Sequence, residues 1–235
     1  MDNQKPVFLF DEKKHVYTLD GKKLTGVTTI LGTIAKPALI AWAAKEAVKY
    51  VRENATKDDD LFLVTEEILR AAEKAHAKKR DKAADAGTDV HAECEAWIKT
   101  KVIPLAPSPS FLQFKEWAEG NVGEFLESEK RLYHEGEWYA GTVDLVYKDP
   151  DGRVWVADIK TTSGIYDRTP FFQMAGYQNA IEYMGEFTEP IHGRKIIRMG
   201  KDGSFETKDS LSYEDDLGGF LAALQLYRAL QTFKV

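Results

Sequence analysis

The sequence contains a single cysteine, Cys94, among its 235 residues. One cysteine excludes an intrachain disulfide, and it equally excludes an iron–sulfur cluster bound by four cysteines of this chain. No apolar run approaches the roughly 18 residues that typify a membrane-spanning helix. The first five residues have the features of neither a secretory signal nor an arginine-rich transit peptide. We therefore expect a cytoplasmic protein that makes no contact with membranes.

The sequence also lacks internal repeats, low-complexity tracts and a long linker, so we expect one domain over residues 1–235. Its formal net charge of −6 argues against indiscriminate coating of nucleic acid, but it leaves room for a local basic channel. Positive charge is concentrated in one stretch, which comprises Lys74, Lys78, Lys79, Arg80 and Lys82. A solvated helix face and a DNA-phosphate-binding surface are the two interpretations of that run.

Residues 37–99 are predicted to be largely helical. One helix runs from Pro37 to about Glu53, a polar loop covers Thr56–Asp60, and Thr65 caps a helix that reaches Ala84. Strand patterns follow this region, and a closing helix starts at Ser212. Strands grouped between helical blocks predict a mixed α/β (α+β) fold, in which helices flank a central mixed sheet and the N-terminal half is helical.

Two runs rich in β-forming residues, Tyr139–Tyr147 and Val154–Lys160, are separated by the turn sequence Asp149-Pro150-Asp151-Gly152. Asp in the first position, Pro in the second and Gly in the fourth are typical of a type I turn that closes a three-residue hairpin loop. We therefore predict a hairpin in which Asp149 pairs with Arg153.

Counting back from that pair places Asp144 opposite Asp158, with about 5 Å between their Cβ atoms. Two carboxylates that close repel each other unless a cation lies between them. Lys160 follows Asp158 by two residues, so both side chains project from the same face of the strand. The sequence thus predicts a divalent-metal site with an adjacent ammonium group.

This acid–acid–lysine pattern on a hairpin resembles the PD-(D/E)XK nuclease superfamily, whose two carboxylates bind Mg²⁺ and whose lysine positions or activates water. The proline that usually precedes the first acid is Val143 here. The resemblance implies a restriction-endonuclease-like core over residues 127–185. It also implies that Asp144, Asp158 and the carbonyl of Ile159 bind the metal, and that both acids and Lys160 are catalytic.

A second segment, Gly87-Thr88-Asp89-Val90-His91, resembles the "G-T-x-x-H" segment of the RecB-like branch, in which the histidine is a metal ligand. Imidazole suits Mn²⁺ better than Mg²⁺. The alternative is a histidine at a helix start with no metal, because Gly87 can end one helix and Thr88 can cap the next. Glu95 and Glu129 are reserve acids, that is, further acidic candidates for the site. We expect each of them to have a structural role.

A third segment, Thr169–Tyr177, is predicted to open a helix with Thr169 as its cap and Pro170 as its first residue. Gln173 and Tyr177 then share one helix face. RecB-like nucleases carry a Gln-x-x-x-Tyr pair after the lysine strand, so the resemblance implies that these two side chains hold water or phosphate. The alternative is an ordinary amphipathic helix with a half-buried tyrosine.

These segments occur in the family's order, and Leu24–Leu31 followed by Ala41-Trp42-Ala43 resembles the opening of a mitochondrial and phage exonuclease branch. The resemblance implies a Mg²⁺- or Mn²⁺-dependent exonuclease acting on single-stranded DNA or DNA ends, with residues 37–99 as an arch. A structure-specific endonuclease and a catalytically silent DNA-binding module remain alternatives. The intact acid–acid–lysine trio argues against a catalytically silent module. The sequence identifies no recombination partner protein.

Overall fold

A computed structural model describes residues 6–58, 61–187, 189–200 and 202–232. The fold is of the mixed α/β class, as predicted, and its main sheet contains both parallel and antiparallel strands. The chain divides into two compact units, one comprising Met1–Ile34 with Val90–Val235 and the other Ala35–Asp89. No helix in the described ranges is long and apolar enough to cross a membrane.

The strands, in chain order, are β1 (Phe8–Asp11), β2 (Val16–Leu19), β3 (Lys22–Lys23), β4 (Thr25–Gly26), β5 (Thr56–Asp58), β6 (Leu61–Leu63), β7 (Glu124–His134), β8 (Tyr139–Lys148), β9 (Val154–Lys160), β10 (Ile191–Met199) and β11 (Phe205–Ser210). The helices are α1 (Val27–Leu31), α2 (Pro37–Asn54), α3 (Glu66–Glu73), α4 (Ala75–Thr100), α5 (Pro109–Asn121), α6 (Thr169–Met184) and α7 (Tyr213–Thr232).

The main sheet has the strand order β11-β10-β9-β8-β4, and β7 also pairs with β8. β10 is parallel to β9 and β4 is parallel to β8, whereas the other neighbours are antiparallel. Residues of α1, α6 and α7 pack with one set of buried strand side chains, and residues of α4 and α5 pack with another. The middle of the sheet is therefore covered by helices, which explains why β8, β9 and β10 are mostly buried, whereas β7 and β11 are largely polar.

The β8–β9 hairpin has the register predicted from its turn. Lys148 pairs with Val154, and the ladder runs to Leu145 and Ala157. The turn is closed by the Asp149 amide, which donates to the Arg153 carbonyl at 3.0 Å. The next step along the same register places Asp144 opposite Asp158, at the point where the ladder ends.

A gap in the sheet begins at that point. β7 covers one edge of β8 over its whole length, so β4 and β9 must share the other edge. β9 pairs with residues 145–148, while β4 pairs with residues 139–140. The edge of β8 from Gly141 to Asp144 therefore lies between two separate partners, and Gly141, Thr142 and Asp144 line a cavity there.

Helix α4 is continuous from Ala75 to Thr100, so the predicted helix end at Gly87 and the predicted cap at Thr88 are wrong. The Thr88 hydroxyl donates to the Ala84 carbonyl at 3.2 Å, as a threonine inside a helix does. An interior glycine costs about 1 kcal/mol. Burial of α4 side chains such as Trp97 offsets that cost, and His91 consequently lies well inside the helix.

Two further local predictions in the smaller unit require correction. The predicted polar loop Thr56–Asp60 is strand β5 over Thr56–Asp58, paired with β6, and residues 59–60 lie outside the described ranges. The Thr65 hydroxyl does accept from the Ile68 amide at 3.3 Å, but the helix it caps ends at Glu73 instead of Ala84. A strand of three polar residues shows no alternation of apolar and polar side chains, so the sequence pattern does not predict it.

Helix α6 begins at Thr169, one residue earlier than predicted, with Arg168 as its N-cap residue. Thr169 is therefore not the cap. Its amide donates to the side chain of Asp167 at 2.8 Å, so Asp167 satisfies one of the free donors of the first turn. Gly185 ends the helix in a left-handed conformation, with φ of 64°.

We expect Asp149→Asn to lower the free energy of unfolding by about 1–3 kcal/mol near neutral pH, because hydrogen bonds to a buried carboxylate are lost. Asp149 accepts from the amides of Asp151 and Arg153, from Arg153 Nε and from Trp155 Nε1. Burial alone would raise the pKa of Asp149, but the Trp155 and Arg153 hydrogen bonds hold it at about 2. Urea unfolding measures the difference.

Because the folded-state pKa of Asp149 lies below its unfolded value, its contribution is complete above about pH 4 and disappears as the pH falls towards about 2. The stability difference between the wild type and Asp149→Asn should shrink over that interval. Asp151→Asn is the matched control, since its side chain is 72% exposed on the same turn. A difference that stays constant down to about pH 2 would contradict this account of the turn.

Candidate metal centre

Three side chains from distant parts of the sequence meet at the gap in the sheet: His91 of α4, Glu129 of β7 and Asp144 of β8. One potential ligand atom from each lies within 4.8 Å of the other two. His91 Nδ1 lies 3.1 Å from Glu129 Oε1 and 3.8 Å from Asp144 Oδ2. The structure thus brings together two of the predicted ligands and one of the reserve acids.

His91 uses both ring nitrogens. Nδ1 contacts the Glu129 carboxylate, and Nε2 lies 3.0 Å from the Ile159 carbonyl oxygen, so both partners are acceptors and both nitrogens must donate. Burial lowers the pKa of His91, but the Glu129 hydrogen bond and the charge of Asp144 outweigh it and raise the pKa to about 9. The ring is therefore a cation among oxygen atoms, and a metal would have to displace its proton.

Asp144 is held by the backbone of the neighbouring strand. Its side chain is 12% exposed, and its Oδ2 accepts from the Ile159 amide at 2.7 Å. Burial raises the pKa of Asp144, while the charges of His91 and Lys160 oppose that rise. The backbone of Ile159 thus contacts Asp144 through its amide and His91 through its carbonyl. This carbonyl is the one that was predicted to bind the metal.

Asp158 is 1% exposed and has one satisfied oxygen. Its Oδ1 accepts from Lys160 Nζ at 2.7 Å, whereas its buried Oδ2 has no hydrogen-bond partner among the described residues. Burial raises the pKa of Asp158 to about 6, with Asp144 adding to the rise and Lys160 opposing it. A buried carboxylate oxygen without a donor is costly, and a cation is the type of group that satisfies it.

Lys160 keeps its charge at this site. Burial lowers the pKa of Lys160, but the adjacent Asp158 and Asp144 carboxylates outweigh burial and raise it. Its side chain is 28% exposed, and its Nζ lies 2.7 Å from Asp158 Oδ1. The predicted arrangement of an ammonium beside two acids is therefore present.

Glu129 has a left-handed backbone conformation, with φ of 50°. It lies between Ser128 and Lys130, which pair with Leu145 and Val143, just after a register shift in β7. A non-glycine residue in this conformation costs about 1–3 kcal/mol, and such residues cluster at functional sites. From the sequence, Glu129 was expected to have a structural role, because the only local signal was an acid on the strand that precedes the hairpin.

Gln173 and Tyr177 contact each other on α6, where Gln173 Nε2 donates to the Tyr177 hydroxyl at 2.9 Å. The Tyr177 ring packs against the bare Cα of Gly141, since a Cβ there would lie 2.4 Å from Tyr177 Cε1. Burial raises the pKa of Tyr177, and the charge of Asp144 raises it further, so the phenol stays neutral. Glycine is thus required beside the phenol.

The remaining candidates are placed elsewhere. Glu95 lies one helical turn after His91 but forms an ion pair with Lys99. The predicted basic residues Lys74, Lys78, Lys79, Arg80 and Lys82 belong to the smaller unit. Two of them are paired there, because Lys79 Nζ lies 2.6 Å from Glu46 Oε1 and Arg80 Nη2 lies 2.8 Å from Asp81 Oδ1.

A cavity of about 450 Å³ adjoins the metal centre. Glu129, Asp144, Gln173 and Tyr177 line part of it. The other lining residues come mainly from the N-terminal strands and α1, and they include His15, Tyr17, Lys23, Thr25, Gly26, Thr28 and Thr29. None of the residues in this N-terminal wall was predicted from the sequence to be catalytic, metal-binding or DNA-binding.

The donor set fits a divalent cation. Carboxylate and carbonyl oxygens are the ligands that Mg²⁺ and Mn²⁺ prefer, and one imidazole is compatible with Mn²⁺. Asp158 is not part of the three-residue group, but its buried Oδ2, which has no hydrogen-bond partner in the described ranges, is a further candidate ligand. The chain lacks the thiolates that would favour softer metals, since its only cysteine, Cys94, is buried in the core.

No family model and no curated protein matches this chain. A solved structure described as "Crystal structure of SSO0001" is similar at a TM-score of 0.35 and 13% sequence identity, over 85% of this chain and 84% of that chain. A TM-score this low supports no inference about function.

Proposed function

We propose that this chain is a metal-dependent deoxyribonuclease that hydrolyses phosphodiester bonds from a DNA end. The observation that carries the proposal is the group formed by His91, Glu129 and Asp144, with ligand atoms within 4.8 Å, at the gap beside the Asp158–Lys160 pair. The resemblance to the PD-(D/E)XK superfamily and its RecB-like exonuclease branch supports the same function. Mg²⁺ or Mn²⁺ is the proposed cofactor.

In this proposal His91, Glu129, Asp144 and Asp158 hold the cation, and the Ile159 carbonyl is a further candidate ligand. A bound divalent cation would lower the pKa of water and stabilise negative charge on the phosphate. Asp144 and Asp158 contribute charge that is already largely desolvated, so their interaction with a cation would be stronger than in water. Release of the His91 proton accompanies ligation.

The remaining side chains act on the substrate. The Lys160 ammonium orients the attacking water and donates hydrogen bonds to oxygen atoms on which charge develops. The Tyr177 hydroxyl already accepts from Gln173, which leaves its own proton free to be donated to a phosphate oxygen. Burial raises the pKa of Tyr177, with the Asp144 charge adding to the rise. The Asp158 and Asp144 carboxylates outweigh burial and raise the pKa of Lys160, so both groups stay protonated.

Cleavage assays on linear and closed circular single-stranded DNA test the proposal and separate its rivals. With Mg²⁺ or Mn²⁺ we expect the linear strand to be degraded and the circle to resist, and with EDTA we expect no cleavage of either. Efficient cutting of the circle would instead favour a structure-specific endonuclease. DNA binding without cleavage under any metal would indicate a silent DNA-binding module.

We further propose a cytoplasmic protein whose partner is DNA, acting in phage or cellular recombination, repair or replication. We propose that residues 37–99 form an arch. The basic residues of the smaller unit would contact DNA phosphates as part of that arch. Replacing Lys74, Lys78 and Lys79 together by glutamine should weaken binding to all sequences alike. The slope of log affinity against log salt should fall by about 0.7 for each single-strand phosphate contact that is lost.

A triple variant of three lysines in the larger unit, Lys99, Lys115 and Lys195, provides the control with an equal charge change. Each of these lysines has an acidic partner, and we expect its replacement to leave the salt dependence of DNA binding unchanged. Equal salt slopes for the two triple variants would show that the basic run is only a solvated helix face.

A further inference from the structure

The cavity beside the metal centre has a second group of polar side chains that the proposed mechanism does not use. Lys23, Thr28 and Thr29 line it, and His15 lies with them on the same wall. Among the described residues, the Lys23 ammonium and the two threonine hydroxyls have no hydrogen-bond or ion-pair partner in the protein. They are hydrogen-bond donors that a ligand in the cavity can reach.

The position of Lys23 is fixed by its neighbours although its side chain is exposed. Trp138 Nε1 donates to the Lys23 carbonyl at 3.0 Å, and the Leu24 amide donates to the Tyr17 carbonyl at 2.9 Å. Leu24 itself is 2% exposed. The ammonium therefore extends from an anchored backbone, so its binding to a ligand does not require the strand to become ordered.

The two threonine hydroxyls border the same small residue. A Cβ on Gly26 would lie 3.5 Å from Thr29 Oγ1 and 4.0 Å from Thr28 Oγ1. Gly26 lines the cavity as well. Gly26 thus lies within van der Waals contact distance of both hydroxyl groups, so the two hydroxyls are grouped at one place in the cavity wall.

The charges in the cavity are divided between its two groups of residues. Glu129 and Asp144 belong to the metal centre, whereas Lys23 carries the positive charge among the N-terminal lining residues. The Lys23 ammonium therefore offers a phosphate a positive charge that is separate from the metal ligands. A volume of about 450 Å³ suits one nucleotide, because ligand pockets span about 300–1,000 Å³.

We propose that Lys23, Thr28 and Thr29 bind a phosphate group of the DNA strand other than the phosphate that is cleaved. This inference rests on the proposed nuclease function. Ammonium and hydroxyl donors recognise phosphate oxygens without reading the base, so the site positions the strand and is indifferent to sequence. The phosphate is either a terminal monoester or an internal diester of the strand.

The test compares Lys23→Met with Lys22→Met. Both remove one ammonium from β3, but consecutive strand residues project from opposite faces, and Lys22 is not among the cavity-lining residues. For Lys23→Met we expect KM for a linear strand to rise about 10-fold while kcat changes less than about 3-fold, as for a lost charge-assisted hydrogen bond. Thr29→Val should raise KM in the same direction, and Lys22→Met should leave it unchanged.

Strands with a terminal phosphate and with a terminal hydroxyl distinguish the two phosphate sources. If the terminal monoester is the ligand, the wild type should prefer the phosphorylated end, and Lys23→Met should abolish that preference. If an internal diester is the ligand, the wild type should treat both ends alike, and Lys23→Met should raise KM equally for both. Equal KM values for Lys23→Met and Lys22→Met on every strand would overturn the proposal.

A binding measurement separates this inference from the nuclease function. Fluorescence anisotropy of a labelled strand in the presence of Ca²⁺ reports affinity whether or not the protein cleaves DNA. A weaker affinity for Lys23→Met than for Lys22→Met would support the phosphate site even if the wild type showed no cleavage with any metal. Identical affinities in an active enzyme would refute the phosphate site and leave the nuclease function standing.

Discussion

Asp158→Asn is expected to lower the rate of DNA cleavage by about 10²- to 10³-fold or more, because it removes charge from a preorganised site. The protein should remain folded. Asp158 is 1% exposed, and one of its oxygens has no partner within the part of the chain that the structure describes, so its charge opposes folding more than it helps. Relief of its repulsion with Asp144 should leave the melting temperature unchanged or raise it. Single-turnover cleavage with Mn²⁺ and thermal unfolding measure both effects.

Two further variants make this prediction specific. Lys160→Met should also abolish cleavage, since it removes the ammonium that contacts Asp158 Oδ1. Asp151→Asn neutralises an exposed carboxylate on the same hairpin, and it should retain the wild-type rate. Near wild-type activity in Asp158→Asn or Lys160→Met would show that the hairpin pair is structural.

His91→Ala and Glu129→Gln are each expected to weaken Mn²⁺ binding by about 10- to 100-fold or more, because even outer-shell changes at metal sites have effects of that size. Both side chains offer ligand atoms to the three-residue group, and they contact each other at 3.1 Å. Glu129→Gln preserves shape and removes charge, which separates ligation from packing. Isothermal titration calorimetry with Mn²⁺ provides the measurement.

Two control variants accompany this second prediction, one at a glutamate close to His91 in sequence and one at another histidine. Glu95→Gln changes the acid one turn after His91, which is paired with Lys99, and its Mn²⁺ affinity should stay within about twofold of the wild type. His192→Ala removes an exposed histidine that packs on Trp155, and it should have no effect on metal binding. Unchanged affinity in His91→Ala would restore the interpretation of His91 as a helix residue with no metal.

The hairpin was predictable because its geometry is local. The Asp149-Pro150-Asp151-Gly152 turn sets the register, and a side-chain period of two then fixes which residues share a face. Asp144 and Asp158 follow from counting alone, and the observed ladder confirms the register as far as Leu145 and Ala157.

Other parts of the site depend on contacts that no local pattern encodes. Glu129 reaches His91 only because β7 shifts register and Glu129 takes φ of 50°. The N-terminal wall of the cavity depends on β4 joining the free edge of β8, through only two residue pairs. Gly87 was misinterpreted because burial of the α4 face outweighs the helix-ending preference of one glycine.

The most direct test of the central claim is a paired titration, in which Mn²⁺ binding by calorimetry and cleavage of a linear strand are measured on one wild-type preparation. We predict that cleavage is absent without metal and saturates over the same Mn²⁺ concentrations as binding. We also predict that Asp144→Asn shifts both curves together. Cleavage that persists in EDTA, or Mn²⁺ binding that is unchanged in Asp144→Asn, would contradict the assignment of this cluster as a catalytic metal centre.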